Sequence, residues 1–185
     1  MSNVKISEMP SATSVSGSDL IPIVQGGVSK KASVSQLADN DFIQIRNTSD
    51  YSKSVSGNWN KYFIPLTTIY NSKGTSLTLN STDGTVVIGS DISRVKVSLN
   101  FAIAGATSET APAIHIKHSG ETNWTAVYPA GNFTAYNSSV WVTACLQTII
   151  DVNQGDELML GFNTHTSGTL KFNGIGTVLT VEKIV

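Results

Sequence analysis

The chain has almost no cysteine, little charge and no run of one sign. Cys145 is the only cysteine in 185 residues, which excludes an intrachain disulfide. It lies in the apolar run 140–150, where a small buried hydrophobe is the expected role. Charged residues make up only 14% of the chain, against about a quarter in ordinary soluble domains. The formal net charge is −1 with no cluster of Lys or Arg, so the footprint of a nucleic-acid binder is missing. No apolar stretch reaches membrane-spanning length, and the N-terminus lacks the apolar core of a secretory signal. The composition is compatible with synthesis in a reducing cytoplasm, without membrane insertion.

Catalytic patterns are also missing. There is no HExxH, no CxxC and no GxSxG elbow. Gly174-Ile175-Gly176 lacks the rest of a dinucleotide fingerprint. His115, His118 and His165 are the only histidines. His115 and His118 are three apart, which puts them on opposite faces of a strand, a poor arrangement for shared metal ligation. Surface histidines are expected, with no metal and no cofactor. Asp151, Asp156 and Glu157 come nearest to a glycosidase carboxylate pair, but Asn153-Gln154-Gly155-Asp156 reads more simply as a hairpin turn. No catalytic residue is assigned and no enzyme is expected. Asn-x-Ser/Thr sequons at Asn47, Asn80, Asn123, Asn132 and Asn137 are chance products of a chain rich in Asn, Ser and Thr.

What is present falls into two regimes. Residues 1–40 are Ser-rich, with Met9-Pro10, Ile21-Pro22 and Gly26-Gly27. Proline and paired glycine argue against a long helix and for a turn. The islands Val4/Ile6 and Leu20–Val24 cannot cover themselves. The segment is therefore a flexible tail or one that orders on a partner. Ser33–Ala38 could form one helical turn, capped by Ser33.

From Phe42 the pattern is that of strands. Val95, Val97, Leu99, Phe101 and Ile103 alternate with Arg94, Lys96, Ser98 and Asn100, the period of a half-buried strand. Leu158, Leu160 and Phe162 repeat it in 157–164. Further strands are expected at 42–46, 62–68, 76–79, 85–88, 113–117, 124–128, 169–172 and 177–184. The stretch 140–152 is apolar on both parities, as in a strand covered on two sides. If Val142, Leu146 and Ile150 face the core, Trp141 and Ile149 face away from it and need cover, which makes them a candidate subunit interface. Turn signals at Asp83-Gly84, Ser119-Gly120 and Ser167-Gly168 separate the runs. Short strands without helical periodicity predict an all-β antiparallel sandwich or barrel over 41–185. Phe133 and Tyr136, between strands, could stack on a sugar or a protein partner, or could pack as a loop or subunit contact.

The N-terminal order is specific. Lys5-Ile6-Ser7-Glu8-Met9-Pro10 is followed by Asp19-Leu20-Ile21-Pro22-Ile23-Val24-Gln25, then by Ser29-Lys30-Lys31-Ala32-Ser33. This resembles the start of many bacteriophage virion appendage proteins of the head-fibre and tail-fibre type. Met9 stands where the usual family form has Leu. At the other end, Gly155-Asp156-Glu157-Leu158-Met159-Leu160, with the closing Leu179-Thr180-Val181-Glu182-Lys183-Ile184, resembles the last strands of C1q/TNF-like jelly rolls. The resemblance implies an extended docking segment at 1–40 and a jelly-roll head at 41–185. It places Lys5, Ile6, Ser7, Glu8, Pro10, Asp19, Leu20, Ile21, Pro22, Ile23, Val24, Lys30 and Lys31 against phage capsid or tail proteins. It also implies a homotrimer, whose three weak anchors gain avidity through high effective concentration. The function expected is that of a trimeric head fibre or capsid decoration protein in the virion. The alternative is a short tail fibre or baseplate protein recognising host surface glycans. A eukaryotic C1q/TNF-like ligand is less expected, because no signal or membrane anchor precedes the head.

Overall fold

The computed structural model describes residues 19–25, 27–33, 41–129, 133–134 and 141–184. The chain divides into two compact units, Met1–Asp39 and Asn40–Val185.

In the first unit, β1 (Leu20–Gln25) and β2 (Val28–Ser33) form an antiparallel hairpin. Gln25 pairs with Val28 to close it, and Gly27 takes the positive φ of 76° that a two-residue hairpin loop demands. The described part of the segment is thus paired, not simply extended. Ser33 ends β2, and the helical turn expected after it lies outside the described residues.

The second unit contains β3 (Phe42–Arg46), β4 (Tyr51–Val55), β5 (Asn60–Phe63), β6 (Thr68–Lys73), β7 (Leu77–Asn80), β8 (Thr85–Ile88) and β9 (Arg94–Ala104). It continues with β10 (Glu109–Lys117), β11 (Thr125–Pro129), β12 (Phe133–Thr134), β13 (Val142–Asp151), β14 (Glu157–Thr164), β15 (Gly168–Phe172) and β16 (Val178–Lys183). All pairings among the described residues are antiparallel. One sheet runs β4-β15-β9-β16-β3-β6, with β13 on the other edge of β9. The second runs β11-β10-β14-β8-β7, with β5 on β14 and β12 on β10. The two sheets face each other as a jelly-roll sandwich.

The alternation read from the sequence fixes the core. Val95, Val97, Leu99, Phe101 and Ile103 of β9 are buried, as are Leu158, Leu160 and Phe162 of β14. Phe101 and Phe172 from one sheet meet Phe162 from the other, with ring centroids 5.1 to 6.4 Å apart. Each such side chain contributes roughly 1.5–3 kcal/mol by burial alone.

Several expectations are corrected. The strand expected over 62–68 is two strands in different sheets, because Pro65 has no N–H to donate and the chain crosses between sheets there. The Asn153–Asp156 turn does not close a hairpin; it carries the chain from β13 in one sheet to β14 in the other. The segment expected to be covered on two sides, β13, pairs among the described residues with β9 alone and buries one face. Cys145 is consequently exposed rather than buried. It faces away from the core with the other odd-numbered residues of β13, and its thiol donates to Asn100 Oδ1 at 3.1 Å.

Candidate subunit interface and partner surfaces

The outward face of the β13-β9-β16-β3-β6 sheet follows from strand alternation. Thr143, Cys145, Gln147 and Ile149 project from β13, and Lys96, Ser98 and Asn100 from β9. Register lines them up in rows. Gln147 lies beside Ser98, Ser98 beside Thr180, and Thr180 beside Gln44. Gln147 Nε2 donates to Ser98 Oγ at 2.9 Å, and Gln44 Nε2 to Thr180 Oγ1 at 3.2 Å. Charges at the ends are paired: Arg94 with Asp151 at 2.8 Å and Lys96 with Glu182 at 3.7 Å. Polar groups already bonded to neighbours lose less on being covered than groups that must give up water. An open groove of about 300 Å³ runs between β9 and β13 over Ser98, Asn100, Cys145 and Gln147.

Apolar groups stand at the rims of this polar ladder. Trp141 is 40% and Ile149 60% exposed. They sit on the same side of the strand, eight residues apart, about 27 Å at 3.4 Å per residue. At the opposite edge, Ile69 and Tyr70 of β6 are exposed, with the Arg46 guanidinium 3.8 Å over the Tyr70 ring. A bulge in the β3–β6 pairing breaks the alternation there.

The other expected site residues separate. In the hairpin, Leu20, Ile21, Pro22 and Lys31 are exposed, while Ile23 pairs with Lys30 through the backbone. Asp19 is also exposed, and Val24 pairs with Ser29. Lys5, Ile6, Ser7, Glu8 and Pro10 lie outside the described residues, as does Tyr136. Phe133 belongs to β12 and pairs through its backbone with Thr110 of β10.

The carboxylates do not assemble a catalytic pair. Asp151 is held by Arg94, and Glu157 by Lys117 at 2.8 Å. Asp156 is buried and accepts from the backbone N–H of Ser119 and of Asn153 at 3.0 and 2.9 Å. Its Oδ2 also lies 3.0 Å from His118 Nδ1. It clamps two loops rather than facing a groove. Among the described residues no group of three or more His, Cys, Asp and Glu side chains could hold a metal ion. No described helix is long and apolar enough to cross a membrane.

His118 and His165 are surface residues; His165 lies against the Trp59 ring at 4.7 Å. His115 is not. It is fully buried on the outer face of the second sheet, and neither ring nitrogen has a hydrogen-bond partner. Its edge contact with Phe63 of β5 spans 5.2 Å between centroids. Parity correctly opposes it to Ile114 and Ile116, but β5 and the Trp124 segment cover that face. The signal was the unbroken run Ala111–Ile116, apolar apart from His115 itself, which reads as a strand buried on both faces.

Three comparisons bear on the fold. No protein-family model matches the chain, and no curated protein sequence matches it. Among solved structures, the crystal structure of murine APRIL at pH 8.0 is similar with a TM-score of 0.60 and 11% identity, covering 79% of this chain and 100% of that one. Eiger TNF from S. frugiperda is similar with a TM-score of 0.56 and 11% identity, covering 79% and 92%. At that identity the likeness speaks for architecture, and the architecture of the chain is an all-β TNF-like jelly roll.

Proposed function

We propose that the chain is a non-enzymatic structural protein of a bacteriophage particle, a homotrimeric head fibre or decoration protein docked by its N-terminal segment. The observation that carries this reading is the ordered motif from Lys5 to Lys31 joined to a single jelly-roll head. Two structural features support it. The hairpin leaves Leu20, Ile21 and Val28 exposed, and a lone two-stranded hairpin is marginal in water, so it gains from a partner surface. The head presents one sheet face on which Trp141 and Ile149 are exposed beside polar groups already bonded to each other, so a second copy would cover apolar surface at little cost to those polar groups. Trp141 and Ile149 anchor that contact in this reading.

Light scattering on the purified chain should give three times the 19.6 kDa chain mass, and Ile149→Asp should shift it to monomer. A monomeric wild type at micromolar concentration would remove the trimer. Particles assembled with a chain lacking residues 1–40 should lack the protein; normal incorporation would sink the docking role.

A second reading, a short tail-fibre or baseplate protein that binds host glycans, is favoured by one pocket. Asn47, Thr48, Ser49, Asp50, Tyr51, Pro65 and Thr67 line an open site of about 230 Å³ without a cationic group. Hydroxyls, an amide, one carboxylate and a tyrosine suit a neutral sugar. A glycan array with the intact chain separates the two readings.

A further inference from the structure

A fully buried histidine with no partner on either nitrogen is uncommon, since buried polar side chains are nearly always bonded. His115 sits in a notch built for it. A Cβ on Gly161 of β14 would come 2.5 Å from Nδ1 and 2.6 Å from Cε1, so the ring lies directly on the backbone of the neighbouring strand. The cover over it is thin. Phe63 of β5 and Trp124 stand 5.6 Å apart between centroids, and Lys61 Nζ ties β5 to the Trp124 carbonyl at 2.8 Å. β5 is only four residues long. The β10–β11 pairing shifts register between Ile114 and His115, so β11 is held least well at the ring.

We infer that His115 is the latch of an acid-opened lid, in which β5 and the Trp124 segment seal a neutral ring and its protonation drives them off the sheet. An imidazolium carries a charge and two N–H donors, and neither ring nitrogen makes a hydrogen bond in the closed pocket, where the Ala113 backbone alone lends it some support. The charged groups facing the ring from each packed element do not help. β5 contributes Lys61, which repels it. β10 contributes Lys117 and β14 contributes Glu157, but these two are paired with each other at 2.8 Å. Thr125, Ala126 and Val127 of β11 and Trp124 carry no charge. Burial, aided by Lys61, holds the ring at about 4 instead of the ordinary 6.5, with the Ala113 backbone opposing slightly. The ring itself cannot leave easily, because β10 pairs with β14 continuously from Thr110 to Lys117. The short cover moves instead, because β5 holds β14 over only four paired positions, Asn60 to Phe63, against eight for β10.

Backbone amide exchange on the full chain, corrected for the intrinsic rate at each pH, tests it. Between pH 7 and pH 4, residues 60–63 and 124–127 should lose protection at least tenfold, together with the β14 amides that face β5, while β9 and β16 of the other sheet keep theirs. In His115→Phe, which keeps a buried ring that cannot titrate, the loss should vanish. Lys61→Gln keeps a donor for the Trp124 carbonyl but removes the repelling charge, so the opening should move to higher pH. Equal protection at pH 7 and 4, the same loss in His115→Phe, or an unmoved midpoint in Lys61→Gln would each overturn the latch. The Lys61→Gln measurement stands alone should His115→Phe fail to fold.

Discussion

Gly161→Ala should destabilise the head, although alanine is the better strand former. On an open strand the exchange gains about 0.5–1 kcal/mol. Here the new methyl would sit 2.5 Å from His115 Nδ1 and 3.0 Å from the Tyr62 carbonyl oxygen. Overpacking of this kind costs typically about 1–3 kcal/mol, so a net loss of roughly 1–2 kcal/mol is expected. His115→Ala alone should also destabilise, because it leaves a ring-sized void between Phe63 and β14; truncations of large buried side chains cost about 2–5 kcal/mol. In the double variant the methyl enters the vacated notch. The combined loss should then be smaller than the sum of the single losses by about 1–2 kcal/mol, well beyond the scatter of roughly 0.5 kcal/mol seen for independent sites. Urea titrations of the four proteins at pH 7.5, with unchanged slopes, give the cycle. Additive losses would mean that the ring does not rest on Gly161 in solution, and the acid latch would lose its geometric basis.

Removing the Asp156 carboxylate leaves two loop N–H groups without their acceptor, and Asp156→Ala should cost about 3 kcal/mol in thermal or urea unfolding; a loss under 1 kcal/mol would show that the clamp is dispensable. Phe162→Ala opens the centre of the three-phenylalanine cluster and should cost about 3–5 kcal/mol, read in the same titration. Because His115 is held at about 4 when folded and near 6.5 when unfolded, the unfolded chain takes up the proton first. Stability is therefore complete above pH 6.5 and falls with pH down to about 4. The full loss is about 3 kcal/mol, and His115→Phe should flatten that limb.

The strands that the sequence made legible are those with one wet and one dry face. β9 alternates from Arg94 to Asn100 so that its inward residues can be named from the period; in β14 the period names Leu158, Leu160 and Phe162, although Met159 and Gly161 on the other face are buried as well. β4 and β6 carried no such signal. Both are edge strands: Thr68–Lys73 is exposed on both sides, and Tyr51–Val55 turns only Tyr51 and Val55 as apolar groups toward the core, with Lys53 between them. For β13 the reading of two apolar parities was right about Leu146 and Ile150 and wrong about cover, because composition cannot tell a face buried within the chain from one that stays exposed. Cys145 was misplaced by the same ambiguity. His115 shows the complementary limit. Its parity named the face, but only the tertiary course of β5 and the Trp124 segment decides that this face is dry.

The first strand of the head lies against the last. Phe42 pairs with Glu182, and β16 fills the space between β3 and β9. A ribosome delivers roughly 5–20 residues per second, so β3 and β9 wait several seconds with open edges while the rest of the chain is made. The sandwich closes only after residue 183 has emerged, and sheets dominated by such distant pairings are slow to form. A nascent head is thus most vulnerable to premature self-association just before it is complete, and loss of only the last six-residue strand would leave that state permanent.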